Sequence, residues 1–227
     1  MTFKQWLRKV FGFSVQGSRA SRRDRSRKPR HRCVPRLEFL EDRLVPAIIT
    51  VTNATDDLVT GNGVSLREAF LASISHSSVD GSTAGTGDDV IQFAPSLNGQ
   101  TIHLTTSVST LVGLSIFEVT EKLVIDGETG LTQGITLDCS TAGQSRLFFV
   151  TPTGDLTLKG LTISGGSAQG SAGGNSQWEG GVGGGSAGMG GAIFNMGSLT
   201  IQSSTLTGNT AQGGPGNQAN IQTELYS

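Results

Sequence analysis

The chain has 227 residues, room for one or two domains, and its net charge of −1 hides a split. Residues 1–47 hold 13 of the 17 Lys and Arg against four acids, so a segment of about +9 joins one of about −10. With 33 Gly and few aromatics the composition argues against a helical bundle, while two cysteines, Cys33 and Cys139, and the scattered His31, His76 and His103 leave no disulfide framework and no metal-ligand spacing.

In the opening MTFKQWLRKVFGF, the residues Phe3, Trp6, Leu7, Val10 and Phe11 recur at helical spacing, with Lys4, Arg8 and Lys9 between them. This predicts a short basic amphipathic helix suited to an anionic surface. The following SRASRRDRSRKPRHR is too charged to pack and reads as disordered. Nucleic-acid binding is its rival reading, disfavoured because no aromatic or folded reading module accompanies the run. No stretch reaches the ~18 apolar residues of a membrane span, and no continuous apolar region marks an ordinary secretory signal. Leu37, Leu40 and Leu44 then share one helical face, which Pro46-Ala47 ends.

Beyond residue 47 the period changes to two. Ile48–Thr52 alternates as a strand, and Ser65-Leu-Arg-Glu68 forms a capping box that predicts a short helix over 65–75. Residues 48–80 are thus an N-terminal cap. Strands are predicted at Asp88–Phe93, Thr101–Leu104, Leu123–Ile125, Ile135–Cys139, Leu147–Val150, Leu156–Leu158 and Leu161–Ile163. Cys139 shares parity with Ile135 and Leu137 and reads as a buried thiol. Gly154–Gly165 overlays Gly197–Gly208 at an offset of 43, and Ala168-Gln-Gly170 overlays Ala211-Gln-Gly213. Internal repetition of strand–turn units is the signature of stacked coils. A coil of about 20–25 residues is the expected length, with the longer step between the two copies enlarged by a loop. That loop is Gly165–Gly191, in which nearly every second residue is Gly.

These motifs carry resemblances. The stretch R-L-E-F-L-E-D-R-L-V-P-A (residues 36–47) resembles the leader of secreted proteins of planctomycete type, which implies export to the cell surface or beyond. V-T-N-x-x-D-D, S-L-R-E-A-F and G-D-D-V-I-Q-F resemble the opening of bacterial parallel β-helix proteins of the pectin-lyase-like superfamily, although Gly63-Val64 stands where that group has a Cys. G-G-A-I-F-N-x-G-x-L-T-I and S-T-L-T-G-N-T-A resemble autotransporter-like and polymorphic outer-membrane repeats. The implied fold is all-β: a right-handed single-stranded parallel β-helix over 81–227, with a capping helix and a disordered basic arm over 1–47.

Polysaccharide cleavage is the serious functional rival. A lyase needs a base and calcium-holding carboxylates, and a hydrolase needs facing carboxylates. Beyond residue 47 the only Lys and Arg are Arg67, Lys122, Arg146 and Lys159. Asp126 and Asp138 are separated by about half a coil and are expected on different faces; Asp88-Asp89 are adjacent and expected to end a turn. Gly181-Val-Gly183 lacks the strand–turn–helix setting of a nucleotide site, and Gly165–Gly191 lacks the Asp of calcium-binding nonapeptides. The expectation is therefore a non-catalytic structural or adhesive surface protein without a cofactor or metal. Thr157, Thr162, Thr200, Gln202 and Thr205 form the candidate contact surface for glycans or other surface proteins. The thin C-terminal cover predicts end-to-end self-association, or fraying from about Leu199.

Overall fold

The computed structural model describes residues 45–110, 112–174 and 183–216. The chain divides into Met1–Glu41 and Asp42–Ser227; the expected basic arm, apart from residues 45–47, lies outside the described residues, as do 175–182 of the glycine-rich stretch and 217–227 of the tail.

The described part is mostly strands in parallel sheets. One sheet holds β1 (Ile48–Val51), β2 (Asp88–Phe93), β6 (Lys122–Asp126), β9 (Asp155–Lys159) and β13 (Ser198–Gln202), in that spatial order and all parallel. A second holds β3 (Thr101–His103), β7 (Ile135–Asp138), β10 (Leu161–Ser164) and β14 (Thr205–Thr207), also parallel. A third holds β4 (Val108–Thr110), β5 (Gly113–Val119), β8 (Arg146–Val150) and β12 (Ile193–Asn195), in which only β4–β5 is antiparallel. Last, β11 (Ser167–Gln169) pairs with β15 (Thr210–Gln212). From β2 onward the chain visits the first, second and third sheets in turn and then returns to the first.

Alternation decides which side chains form the core. In β2 the residues Asp89, Ile91 and Phe93 are buried, and in β9 Leu156 and Leu158. Register then stacks like on like: Ile91 pairs with Ile125, Ile125 with Leu158, and Leu137 with both Ile102 and Ile163. Each such aliphatic contributes roughly 1.5–3 kcal/mol when buried. Phe117 is buried between Phe70 and Phe148, with ring centroids at 4.6 and 5.7 Å.

The capping box is present. Helix α1 (Leu66–Ser75) starts at Ser65, whose hydroxyl accepts from Glu68 N–H while the Glu68 carboxylate accepts from Ser65 N–H. Its face of Leu66, Ala69, Phe70 and Ala72 is buried, and the helix lies against β1 and β2.

Two expectations need correction. On the first sheet Val90 pairs with Val124, Val124 with Thr157 and Thr157 with Thr200, so every return to that sheet takes more chain than the expected coil of about 20–25 residues. The turns are longer than the minimum, and the β4–β5 hairpin adds an excursion that sequence alternation did not mark. The glycine-rich stretch is also more than a loop off one edge. It opens with β11, and its glycines let backbones stack closely: Ser186 N–H donates to Ser171 C=O at 2.9 Å and Gly214 N–H to Ser186 C=O at 2.7 Å. A Cβ on Gly170 would strike the Ser186 carbonyl, and one on Gly188 the Gln212 carbonyl.

Candidate functional site

Parallel registry turns outward residues into rows. On the second sheet Thr101, Thr136, Thr162 and Thr205 align across four strands, so two of the expected contact residues belong to a threonine ladder that also holds Thr101 and Thr136. On the first sheet Thr157 and Thr200 align, and beside them Lys159 aligns with Gln202. Thr200, Gln202 and Thr205 are exposed; Thr157 and Thr162 are half-buried. The five candidates thus fall into two groups on two sheets. Where those sheets meet, a cleft of about 260 Å³ is lined by Glu128, Thr132, Gln133, Thr162, Ser203 and Thr205, together with glycines of the 127–134 turn. The sequence signal that finds the missed Thr101 and Thr136 is the T-x-H and T-x-D step in strands whose middle residue is aliphatic.

A second row flanks the threonines: His103, Asp138, Ser164 and Thr207. Asp138 accepts from His103 Nδ1 at 3.0 Å, Ser140 Oγ at 2.8 Å and Ser164 Oγ at 3.1 Å. Burial pushes its pKa up, but the hydrogen bonds from Ser140, His103 and Ser164 outweigh this and hold it below the ordinary aspartate value. A carboxylate can only accept, so His103 carries its proton on Nδ1 toward Asp138, and the exposed imidazole keeps Nε2 for other partners. Ser140 and Ser164 both donate to the aspartate, not to the imidazole, so neither hydroxyl is set up as a histidine-activated nucleophile.

Asp56, Arg67, Asp88, Asp89, Lys122 and Asp126 are engaged in holding the chain. Asp56 accepts from Arg67 Nε and a terminal nitrogen at 2.7 and 3.0 Å and from Thr105 and Thr106 N–H at 2.7 and 3.2 Å; Arg67 also donates to Thr106 C=O and lies over Phe117. Asp89 is buried and accepts from Ser73 Oγ and Thr86 N–H, which ties α1 to the turn before β2. Lys122 reaches Asp88 at 2.9 Å. Asp126 accepts from Glu128 N–H, Thr129 N–H and Thr129 Oγ; burial raises its pKa, but these bonds bring it below the ordinary value. Asp126 and Asp138 stand on different sheets.

Arg146 is the first residue of β8, yet its side chain turns away from solvent. It is buried, donates to the carbonyls of Val112 (2.9 Å) and Met189 (3.2 Å), and lies over Phe194, and burial lowers its pKa. Its partners come from segments far away along the chain on either side, so nothing local announces it. Cys139 is buried as expected, and burial pushes its thiol up to about 11. No helix among the described residues is long and apolar enough to cross a membrane. No family model, no curated protein and no solved structure matches the chain.

Proposed function

We propose that the chain is an exported, non-catalytic surface protein built as a right-handed single-stranded parallel β-helix of the pectin-lyase-like kind, which holds glycans on its polar outer rows. The observation that carries this reading is the Thr101–Thr136–Thr162–Thr205 ladder running into a polar cleft, while Arg67, Lys122, Arg146, Asp56, Asp89 and Asp126 are taken up in structural contacts. Hydroxyls in a fixed row supply donors and acceptors at regular spacing, which suits a repeating polar ligand better than a single reacting bond. The 36–47 leader-like stretch supports export. The test is a binding and cleavage screen on pectate, alginate and neutral glycans, with and without calcium. Binding without release of unsaturated or reducing ends is expected, and it should weaken in Thr162→Glu and Thr205→Glu. Cleavage, or binding indifferent to both substitutions, refutes the reading.

A second reading, polysaccharide cleavage, is favoured by the His103–Asp138 pair, an imidazole with a carboxylate behind it and a solvent-facing nitrogen. It requires product release that disappears in His103→Gln while the fold is retained.

A further inference from the structure

We infer that β13, whose outer edge no strand pairs among the described residues, is a self-recognition strand on which two copies of the chain pair antiparallel about a twofold axis at Thr200. This rests on strand pairing alone and not on the proposed function.

The register fixes which backbone groups are available. Ser198 N–H donates to Gly154 C=O at 2.9 Å, and Gly160 N–H donates to Gln202 C=O at 3.1 Å. In a parallel ladder alternate residues bond to the same side, so Ser198, Thr200 and Gln202 face β9 with both backbone groups. Leu199 and Ile201 therefore direct theirs to the opposite side, where no strand pairs among the described residues. In side-chain terms the parity is reversed in use: Leu199 and Ile201 continue the inward rows of Leu156 and Leu158, whereas Thr200 follows Thr157 outward. Ile201 nevertheless remains 41% exposed and Leu206 on β14 44% exposed, although their counterparts Leu158 and Ile163 are fully buried.

Three observations select a second copy as the occupant. The strand Ser-Leu-Thr-Ile-Gln reads nearly the same in both directions in chemical type. Antiparallel pairing centred on Thr200 sets Leu199 against the second copy's Ile201 and Ser198 against its Gln202, so apolar meets apolar and polar meets polar. The Leu199 and Ile201 positions then become hydrogen-bonded pairs, and Thr200 faces Thr200 in the closer, non-bonded kind of pair. Second, charge permits it. Earlier strands of this sheet carry Asp88, Lys122, and Asp155 with Lys159, but residues 183–216 hold no Asp, Glu, Lys, Arg or His. The edge lacks the charged residues by which sheets ordinarily repel copies of themselves. Third, the opposite end of the sheet carries α1 against β1 and β2, which obstructs head-to-tail stacking. With the α1 end obstructed, a contact through β13 is isologous and closes at two copies, where a head-to-tail contact would propagate into fibres.

The test uses the full chain carrying Cys33→Ser, so that Cys33 cannot cross-link. Sedimentation over a wide concentration range should show a monomer–dimer equilibrium with no larger species. Thr200 is exposed, so Thr200→Lys should leave the circular dichroism unchanged and weaken the dimer several-fold by opposing two like charges. Thr200→Cys should form an interchain disulfide on mild oxidation, since facing residues in such a pair lie about 4.5 Å apart between Cα atoms, within disulfide reach. Gln202→Cys alone should not cross-link, whereas a mixture of Ser198→Cys and Gln202→Cys chains should. A monomer at every concentration, growing fibres, or cross-linking of Gln202→Cys as efficient as that of Thr200→Cys overturns the inference.

Discussion

Replacing Asp56 by Ala tests whether the cap is held by one carboxylate. The Asp56 side chain is 2% exposed and joins three segments: its own loop, α1 through Arg67, and the stretch after β3 through Thr105 and Thr106. Removing it strands the Arg67 guanidinium, 13% exposed, and leaves two backbone N–H groups without their acceptor. Breaking a buried ion pair from one side costs roughly 3–5 kcal/mol. Arg67 keeps the Thr106 carbonyl at 2.7 Å and its place over the Phe117 ring, which puts the expected loss at the low end, about 3 kcal/mol. In urea, with a slope of about 1–3 kcal/mol per molar, the midpoint should fall by about 1 M or more. Circular dichroism follows the midpoint, and hydrogen exchange at Ala69 and Phe70 shows whether the loss begins in α1. The double substitution Asp56→Ala/Arg67→Ala should cost less than the two single losses added, because the stranded charge is gone. A single loss below about 1 kcal/mol, or strict additivity, refutes the latch. The pH dependence has a fixed sign. Burial raises the Asp56 pKa, but Arg67, Thr105 and Thr106 bring it below the ordinary value, so its contribution is present above the unfolded pKa of about 3.9 and fades as pH falls through the lower folded value. Wild type and Asp56→Ala should therefore converge in acid.

Phe117→Ala removes a buried ring between Phe70 and Phe148 and should cost about 3–5 kcal/mol, read from the denaturation midpoint. Gly188→Ala should lower stability by about 1–3 kcal/mol through the clash with the Gln212 carbonyl, while Gly130→Ala meets no atom but carries a strained φ of 76° and should cost less. Cys139, buried and with its thiol pushed up to about 11, should resist alkylation in mildly alkaline buffer in the native protein and react once it is unfolded, as mapped by mass spectrometry.

Strand pairing is legible in the sequence where pattern and pairing share one cause. The self-match of 154–165 with 197–208 is the pairing register itself: Leu156 with Leu199, Ile163 with Leu206, and beyond it Ala168 with Ala211. A residue that repeats does so because it occupies the same place on the next pass. Ser65 and Glu68 were legible for a similar reason, since both halves of the capping box lie within one turn. The β4–β5 hairpin was not legible, because Ser-Val-Ser-Thr-Leu-Val-Gly-Leu-Ser-Ile-Phe shows no clean alternation and Ile116 and Phe117, adjacent in sequence, are both buried. Arg146 and the Asp56–Arg67 pair escaped for a second reason. Their meaning lies in partners that only the folded chain brings together, and charge beside a strand reads locally as a solvated flank. Of the contact surface, the threonine parity was visible, while the cleft beside Thr162 and Thr205 required the 127–134 turn to meet the 160–162 corner.

The unequal steps along the first sheet, from Val90 to Val124, to Thr157 and to Thr200, have a consequence for how such a molecule can change. Phase along the stack is kept by amides and carbonyls of neighbouring passes, so the tally of residues between them is free to drift. Thr200 returns beside Thr157 despite the longer path between them, and Leu199 and Ile201 keep the inward parity of Leu156 and Leu158. A strand can accept no such drift, since one added residue would turn every following side chain to the wrong face. Length can therefore change at the corners between strands, where the next pass recovers its register, and not inside a strand.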